Sequence, residues 1–544
     1  MAEYLAPGVY VEEVDRLKSI EGVGTSTAGF IGQAERGPCE PTFITGFEQY
    51  RSLFGGFDFK VQGDDAPGYL PFSIKGFFEN GGRRAFVCRV ASKDSKYASF
   101  DVAGQDDKAA PVPLPTPEPS GGTEESKKGS ITKSSPSISP LSKGSSVAYR
   151  IIANGPGAWG NDIRVQIEPS DLFEANHPIK GKLFSCKITY FPDNQKPGAK
   201  PSFMEVYKNV STDPKSPDYF GNRITNHSCL VNVEKVSDLN PKPFKEASLQ
   251  GGHDGNELVL GDYEGESKGQ PRKRTGLLAM ADIPDISLVI CPDEHEVVGL
   301  TGALVGHCER LRYRFLISQS SLNAESPGTL RASSDSKYAA FYYPWIKVVH
   351  PLTGEVRCIH GGGHIAGVYA KTDVERGCWK APANTKILGA VDTELIVNHG
   401  EQEMLNPRGV NCIRTFPGRG ILVWGARCTT SDPEWKYVPV RRLFIFVEQS
   451  IERGTQWVVF EPNSERLWAR VRQSVIGFLR TQWRAGALMG TSEEQAFFVK
   501  CDRTTMTQDD LDNGRLIVIV GIAAVKPAEF VIFRISQFTA GAES

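Results

Sequence analysis

His360 and His364 stand four residues apart in the run HGGGHIAG, the spacing at which two imidazoles on one helix face can share a metal ion. Three consecutive glycines between them disfavour that helix, since glycine loses more backbone freedom on ordering than any other residue. A metal is therefore not the expected occupant. Gly361, Gly363 and Ala366 of the same run fit a degenerate G-x-G-x-x-A turn, the arrangement that brings a dinucleotide pyrophosphate onto a helix N-terminus. The acidic residue that should hold the ribose about 20 positions later is not clearly placed, because Asp373 and Glu375 arrive too early. Turn glycines beneath a packed helix are the simpler account.

Asp293, Glu294 and Glu296 follow the strand-like ISLVICPD and offer paired carboxylates for proton transfer. A charged cluster at the end of a strand is, however, ordinarily a solvated loop. HEVVG at 295–299 lacks the second histidine of H-E-x-x-H, and no G-x-x-x-x-G-K-[ST] loop occurs to cradle phosphate. The sequence brings no nucleophile, base and orienting group together, which leaves an enzyme unsupported. The alternatives are a cytosolic α/β enzyme that binds a nucleotide through GGGHIAG, and a carbohydrate- or surface-binding module built on residues 147–250.

Charge patterning says more in PNSERLWARVRQSVIGFLRTQWRAGALMG. Asn463 or Ser464 can cap a helix, Glu465 complements its positive end, and Gly486 can stop it. At ~100° per residue, Leu467, Trp468, Val471, Val475, Ile476, Phe478, Leu479 and Trp483 cover one broad apolar face. Arg466, Arg470, Arg480 and Arg484 fall on a narrow stripe opposite. Arginines stacked in this way repel one another, so an external anionic surface would relieve them; an ordinary solvated face is the other reading. Exposed aromatics do not interleave with them as they would on a platform for single-stranded nucleic acid, and a protein partner is favoured.

The elements that must hold these residues belong to several domains. A chain of 544 residues exceeds the ~100–200 of one domain. Its 55 Gly and 35 Pro, with 40% hydrophobic and 23% charged residues, favour short strands and many turns in an α/β or α+β protein. AGFIGQAERGP and AFVCRV read as strands flanking a helix that runs through Phe78 and stops at NGG. From 104 to 146 the composition turns to Pro, Ser and Gly without one aromatic residue, too little apolar surface to offset ordering entropy, so a mobile surface insertion is expected. Residues 147–250 read as short strands of a separate β-rich domain. The α/β pattern then resumes with ISLVICPD, VVGLTGALVGHCERLR and YRFLIS.

The formal net charge of −2 gives no global attraction to nucleic acid or anionic lipid. The longest apolar run, LIVIVGIAAV, is too short to cross a bilayer, and MAEYLAPG has no leader pattern, so synthesis in the cytosol is expected. Eleven cysteines without a C-x-x-C pair are expected to be reduced and mostly buried.

Both ends are strand-like. GVYVEEV precedes a small-residue tether, and GRLIVIVGIAAV is followed, after a break at Lys526-Pro527, by EFVIFRI. A strand without a nearby partner leaves its backbone donors and acceptors unpaired. The two ends can form a ribbon within one chain, or each subunit can give its N-terminal strand to a neighbour's C-terminal sheet. Repeated head to tail, that exchange builds rings or open helical polymers.

In order along the chain, YLAPGVYVEEV, TAGFIGQAERGP, NGGRRAFVCRV, GPGAWGNDIRV, GGHDG, HIAGVYAKTDVERGCWKAPAN, LNPRGVNCIRTFPGRGILVWGARC and RRLFIFVEQSIERGTQWVVFEPN resemble the tail sheath proteins of contractile phages and of related bacterial contractile injection systems. Only 104–146 lies outside the resemblance. It implies an α/β and α+β multidomain fold: an N-terminal donor-strand arm and tether (1–25), an α/β sheath core in two parts (26–103 and 251–390), the flexible insertion (104–146) and a β-rich outer domain (147–250). A C-terminal domain facing an inner tube (391–525) and an exchange strand with its tail (526–544) complete it.

The implied assembly is a homo-oligomer, a helical stack of hexameric rings around an inner tube protein, with baseplate and terminal cap proteins as further partners. It is built extended and metastable in the bacterial cytoplasm, as part of a phage tail or injection particle. No catalysis, cofactor, metal, nucleic acid or direct membrane insertion is implied. The resemblance maps tube contact onto Arg466, Arg470, Arg480 and Arg484. It maps strand exchange onto Val9, Tyr10, Val11 and Glu12 at one end and Phe530, Val531, Ile532, Phe533 and Ile535 at the other. Asp15–Thr25 becomes a tether of eleven residues that can reach on the order of 35 Å.

Overall fold

Ala28–Gly32 is buried at every position, the pattern of a strand covered by helices on both faces. It lies inside a nine-stranded sheet in a computed structural model that describes residues 19–57, 68–105, 147–170, 183–192, 200–225, 227–267, 274–324 and 328–534. From one edge the order is Thr385–Lys386, Gly420–Trp424, Val410–Phe416, Ala339–Tyr343, Phe315–Gln319, Leu288–Ile290, Ala28–Gly32, Ala85–Arg89 and Thr42–Ile44. The strands from Val410–Phe416 to Ala85–Arg89 run parallel, and antiparallel strands close both edges. The helices Leu70–Glu79, Leu300–Leu311 and Gly362–Arg376, each expected or flagged from sequence, pack their apolar residues into the sheet's core.

Between Arg89 and Leu288 the chain leaves this layer and builds two four-stranded antiparallel sheets around a second core. The five strands expected in 147–250 all form. They are joined by Ser99–Gln105, Asn240–Pro241 and Phe244–Ser248. Ser99–Gln105, expected in the first part of the α/β core, instead pairs with Val147–Ala153. The boundary therefore falls near residue 95, where Lys96 and Ser99 bridge to His253 and Gln250; alternating Phe100 and Val102 suit a two-layer sheet rather than a doubly covered one.

Hydrogen bonds among three motifs fasten this excursion to the core. Arg89 Nη1 donates to the Pro156 carbonyl at 2.8 Å and to that of Gly37 at 3.2 Å. Asn161 and Gly252 exchange hydrogen bonds of 2.9 Å, and the Ala158 N–H donates to Asp254. AERGP, GPGAWGND and GGHDG thus meet where the β domain is fastened to the core.

The second boundary also moves. Ala390–Thr393 pairs with Ile346–Val349, and Val410–Phe416 and Gly420–Trp424 complete the large sheet, so the core runs to about residue 429 rather than 390. Beyond it the helices Val438–Gly454 and Glu465–Arg484 and the two-stranded ribbon Phe497–Lys500/Ile519–Ile522 enclose a third apolar core, into which Ile20 inserts. All eleven cysteines are unpaired and nine are buried.

Candidate functional site

The connections from Ala28–Gly32 and Leu288–Ile290 lead to opposite sides of the sheet, and in open α/β folds ligands enter the crevice beyond such a pair. Here side chains fill it. Asp293 Oδ2 accepts from the Gln33 N–H at 2.7 Å and from the Tyr263 hydroxyl at 3.1 Å. A Cβ on Gly32 would stand only 2.8 Å from that oxygen. Burial raises the Asp293 carboxyl to about 7 despite these hydrogen bonds. Glu294 accepts from the Ser318 hydroxyl and the Gln319 N–H, and its Oε2 lies 3.7 Å from His360 Nε2. Of the three carboxylates expected on a solvated loop, Asp293 and Glu294 are each 1% exposed and only Glu296 is in solvent. The correction has a plain cause: the two carboxylates terminate backbone and hydroxyl donors at the strand ends, which burial would otherwise leave unpaired. A nucleotide phosphate entering here would meet carboxyl groups, not cations or free N–H groups.

HGGGHIAG does start a helix, Gly362–Arg376, contrary to the expectation from its glycines. Their lack of side chains allows two helices to touch. A Cβ on Gly363 would overlap the Ser73 carbonyl oxygen, one on Gly367 would sit 2.5 Å from that of Phe77, and Gly76 of the facing helix lies against the His364 ring. Close packing over this length outweighs the entropy cost of ordering glycine. The Gly362 N–H donates to Gln319 Oε1 and to His360 Nδ1, so the helix N-terminus is already occupied. His364 is buried, which lowers its imidazole to about 3 and keeps it neutral. Among the described residues no group of three or more His, Cys, Asp and Glu could hold a metal.

Glu465–Arg484 forms as the sequence predicts. Ser464 caps it by accepting from the Leu467 N–H, Asn463 instead accepts from Trp468 Nε1 at 2.6 Å, and Gly486 ends it at φ +87°. Leu467, Trp468, Val471, Val475, Phe478 and Leu479 are buried, and Ile476 and Trp483 partly so. The arginines are not uniformly free. Arg480 makes two hydrogen bonds to Glu493 at 2.8 and 2.9 Å, and the Arg470 guanidinium lies 5.0 Å from the Trp457 ring centre. Arg466 and Arg484 are exposed. Mutual repulsion on the stripe is therefore already relieved in part within the subunit, a correction to the view that an outside anion must do it.

The ribbon strand Ile519–Ile522 pairs with Phe497–Lys500 along one side, and Ala523 and Val525 continue on that side to Met489 and Ala487. Its other edge has no strand among the described residues. Beyond Pro527, Phe530, Val531, Ile532 and Phe533 are 70%, 69%, 79% and 82% exposed and lie outside any helix or strand. Ile535, like Val9, Tyr10, Val11, Glu12, Asp15–Lys18 and the stretch 106–146, lies outside the described residues. The expected tether is shorter than Asp15–Thr25. Ile20 is buried against Gly454, Val23 N–H donates to Ser450 Oγ at 3.1 Å, and Thr25 is held by Asp373 and Arg442, so Ile20–Thr25 is docked along the helix Val438–Gly454.

Two arginine–carboxylate pairs escape sequence reasoning. Arg442 and Asp373, both nearly without solvent contact, meet through hydrogen bonds of 2.5 and 2.8 Å, and Arg442 also donates to the Thr25 carbonyl at 3.0 Å. Arg427 grips Glu529 at 2.6 and 2.7 Å. Each joins residues about 70 or more positions apart, beyond any local periodicity. One signal exists: Glu529 is the lone charge between Lys526 and Arg534 in an otherwise apolar run.

Residues 273–429 match the family model of the phage tail sheath protein central domain, and 430–538 that of the phage tail sheath C-terminal domain. Residues 273–538 carry the two domains of the tail sheath protein family. The division at 429/430 coincides with the end of the large sheet. Among tail sheath relatives, the chain is 25% identical over 274 residues to a putative prophage major tail sheath protein of Pseudomonas aeruginosa, covering 48% of this chain and 69% of that one. It is 25% identical over 211 residues to the tail sheath protein of Burkholderia phage BcepMu, 37% of this chain and 43% of the relative. The fold matches a chain of the anti-feeding prophage baseplate (24% identity, 99% and 100% of the two chains, TM-score 0.53) and one of the sheath complex of an extracellular contractile injection system in its contracted state (21%, 99% and 99%, 0.56). A sheath tail protein of Listeria innocua matches with 12% identity over 93% and 96% at TM-score 0.55. No helix among the described residues is long and apolar enough to cross a membrane.

Proposed function

We propose that this chain is the repeating subunit of a contractile sheath: it polymerises as stacked hexameric rings around an inner tube and shortens to drive that tube through a target membrane. The observation that carries the reading is the coexistence, on one molecule, of a strand edge at Ile519–Ile522 that no strand among the described residues covers and an exposed apolar run at Phe530–Phe533. An edge and a donor on different parts of one surface make a heterologous contact, which propagates instead of closing as a pair. The N-terminal residues Val9–Glu12 supply a second donor, reaching the neighbour through the few residues before Ile20. Main-chain pairing then persists while side-chain interfaces between subunits rearrange.

Arg466, Arg470, Arg480 and Arg484 face the tube in this reading, with Arg466 and Arg484 the most exposed. Baseplate and cap proteins terminate the stack; structures of baseplate and contracted-sheath chains with this fold support that setting. Energy comes from a difference in packing between two polymer states, with no catalysis or cofactor.

Negative-stain electron microscopy of the purified full-length chain tests the proposal. Hollow helical cylinders with six-fold cross-sections are expected. Isolated particles at every concentration and salt, with the tube protein added as nucleus, would overturn it.

A further inference from the structure

The C-terminal run does not drift away from the subunit; it is nailed down one residue before it becomes apolar. Glu529 is one-fifth exposed and sits in a cradle built from three separate stretches. Arg427 donates to it through Nε at 2.7 Å and Nη2 at 2.6 Å, Asn406 Nδ2 donates at 2.9 Å and the Tyr437 hydroxyl at 3.1 Å, with Lys436 Nζ 3.9 Å away. Arg427 is itself 8% exposed and donates through Nη1 to the Asn406 carbonyl at 2.7 Å, while Asn411 holds the Arg427 backbone from both sides at 2.7 and 2.8 Å. Asn411 lies in the strand Val410–Phe416 of the large sheet. The cradle is thus rooted in the α/β core, not in the ribbon from which the run emerges.

Two features next to Glu529 complete the device. Pro527 has no N–H and a fixed φ, so pairing of the ribbon strand cannot continue through it. Immediately after Glu529 come Phe530–Phe533, exposed on both alternating faces.

We propose that Glu529 is the root clamp of the C-terminal extension: it fixes the point and direction at which Phe530–Phe533 leaves the subunit, presents that segment to a second copy of this chain, and transmits load from it to the α/β core. The partner is a copy of the chain because the same molecule carries the open edge Ile519–Ile522 that such a segment would extend. This rests on the reading of the extension as an exchanged strand. Glu529 is a positioning residue; it need not touch the partner.

The test uses the full chain. Glu529→Gln keeps size and one acceptor but removes the charge that both Arg427 donors seek. It is expected to raise the concentration needed for polymer formation at least tenfold, about 1.4 kcal/mol per contact, with the melting temperature of the subunit close to that of wild type. Spin labels on Phe533→Cys and Glu403→Cys, in a background carrying Cys229→Ser and Cys358→Ser to remove the two cysteines that are not buried, measured below the polymerisation threshold, should give a narrow distance distribution in the parent and a broad one with Glu529→Gln added; a merely stabilising role would leave it narrow. Should Glu529→Gln fail to fold, Asn406→Ala, which removes one donor from the core side, takes its place with the same expectations. Deletion of residues 530–544 separates the two ideas. If the deletion polymerises normally, the exchange reading fails. If it does not polymerise while Glu529→Gln polymerises as wild type with an unchanged distance distribution, the exchange reading stands and the clamp is overturned.

Discussion

The crevice beyond Ala28–Gly32 and Leu288–Ile290 holds two carboxyl groups, a histidine and a tyrosine within hydrogen-bonding range of one another or of backbone donors, yet it is sealed. The ribbon strand Ile519–Ile522 and the run after it hold little that could react, yet one edge of the strand has no partner strand among the described residues and Phe530–Phe533 lie exposed. The carboxyl groups of the first take their hydrogen bonds from donors inside the chain. The second has backbone groups and apolar surface that the described residues leave unused. The contrast teaches that reactive residue types mark a site only when they are left unsatisfied; in a subunit built to polymerise, the unsatisfied groups are peptide groups at a strand edge.

The largest effect expected from breaking this contrast is on the open side. Removing Met1–Ser19 should abolish polymer formation, seen as loss of cylinders by electron microscopy, while circular dichroism and melting remain those of a folded subunit, since the docked residues Ile20–Thr25 are kept. Normal cylinders from the shortened chain would end the donor-strand account.

Next comes the buried pair that fastens the N-terminal segment to both the core and the C-terminal domain. Arg442→Ala leaves Asp373 charged, buried and unpaired and strips a donor from the Thr25 carbonyl, and should cost about 3–5 kcal/mol in chemical denaturation. A loss of roughly 1 kcal/mol or less, the range of surface pairs, would show that the junction is wetter than its burial implies.

The sealed crevice predicts a pH dependence. The Asp293 carboxyl titrates near 7 when folded and near its ordinary value of 3.8 when unfolded. Between those values the unfolded chain has released the proton that the folded one keeps, so stability falls as pH rises, by an amount on the order of a few kcal/mol. Asp293→Asn should flatten that slope, with the variant gaining on wild type between pH 4 and 8. Parallel profiles for the two proteins would contradict the assignment.

A smaller effect separates two kinds of glycine in the core. Gly363→Ala drives a methyl group into the Ser73 carbonyl and should cost about 1–3 kcal/mol. Gly302→Ala and Gly306→Ala, on the helix Leu300–Leu311 with open space around them, should stabilise by about 0.4–1 kcal/mol. Equal outcomes would mean that the helix contact at Gly363 is not as close as it stands. Smallest in stability, though not in assembly, is the double reversal of Arg470 and Arg480 to Glu. It breaks the half-exposed Arg480–Glu493 pair, at the small cost that surface pairs carry, whereas the yield of sheath on tube should drop more than that of empty sheath.

Much of this was readable before any coordinate. The alternation of apolar residues specified most strands of both domains, and the 3.6-residue period of Leu467 to Trp483 specified a helix down to its cap at Ser464, because those signals are local. The Pro- and Gly-marked ends of the excursion placed a second domain inside the first. Local reading failed where the partner was distant. Ser99–Gln105 joined the β domain because its neighbour is Val147–Ala153, not the strand before it. The glycines of HGGGHIAG looked like helix breakers because the surface of Leu70–Glu79 that requires them lies nearly 300 positions away. Asp293 and Glu294 looked solvated because their donors, Gln33, Tyr263 and Ser318, are scattered over the chain.

By itself, then, the sequence determined the family resemblance, the layered α/β and β architecture, the amphipathic arginine helix and the strand character of both ends, all encoded in residue order over short windows. Only the tertiary structure decided which charges are spent internally, as Arg480 on Glu493 and Arg427 on Glu529, and which surfaces are left over. Burial and pairing depend on what is brought to a residue from elsewhere, and a hydrogen bond reaches about 3 Å whether its partners are four or four hundred positions apart.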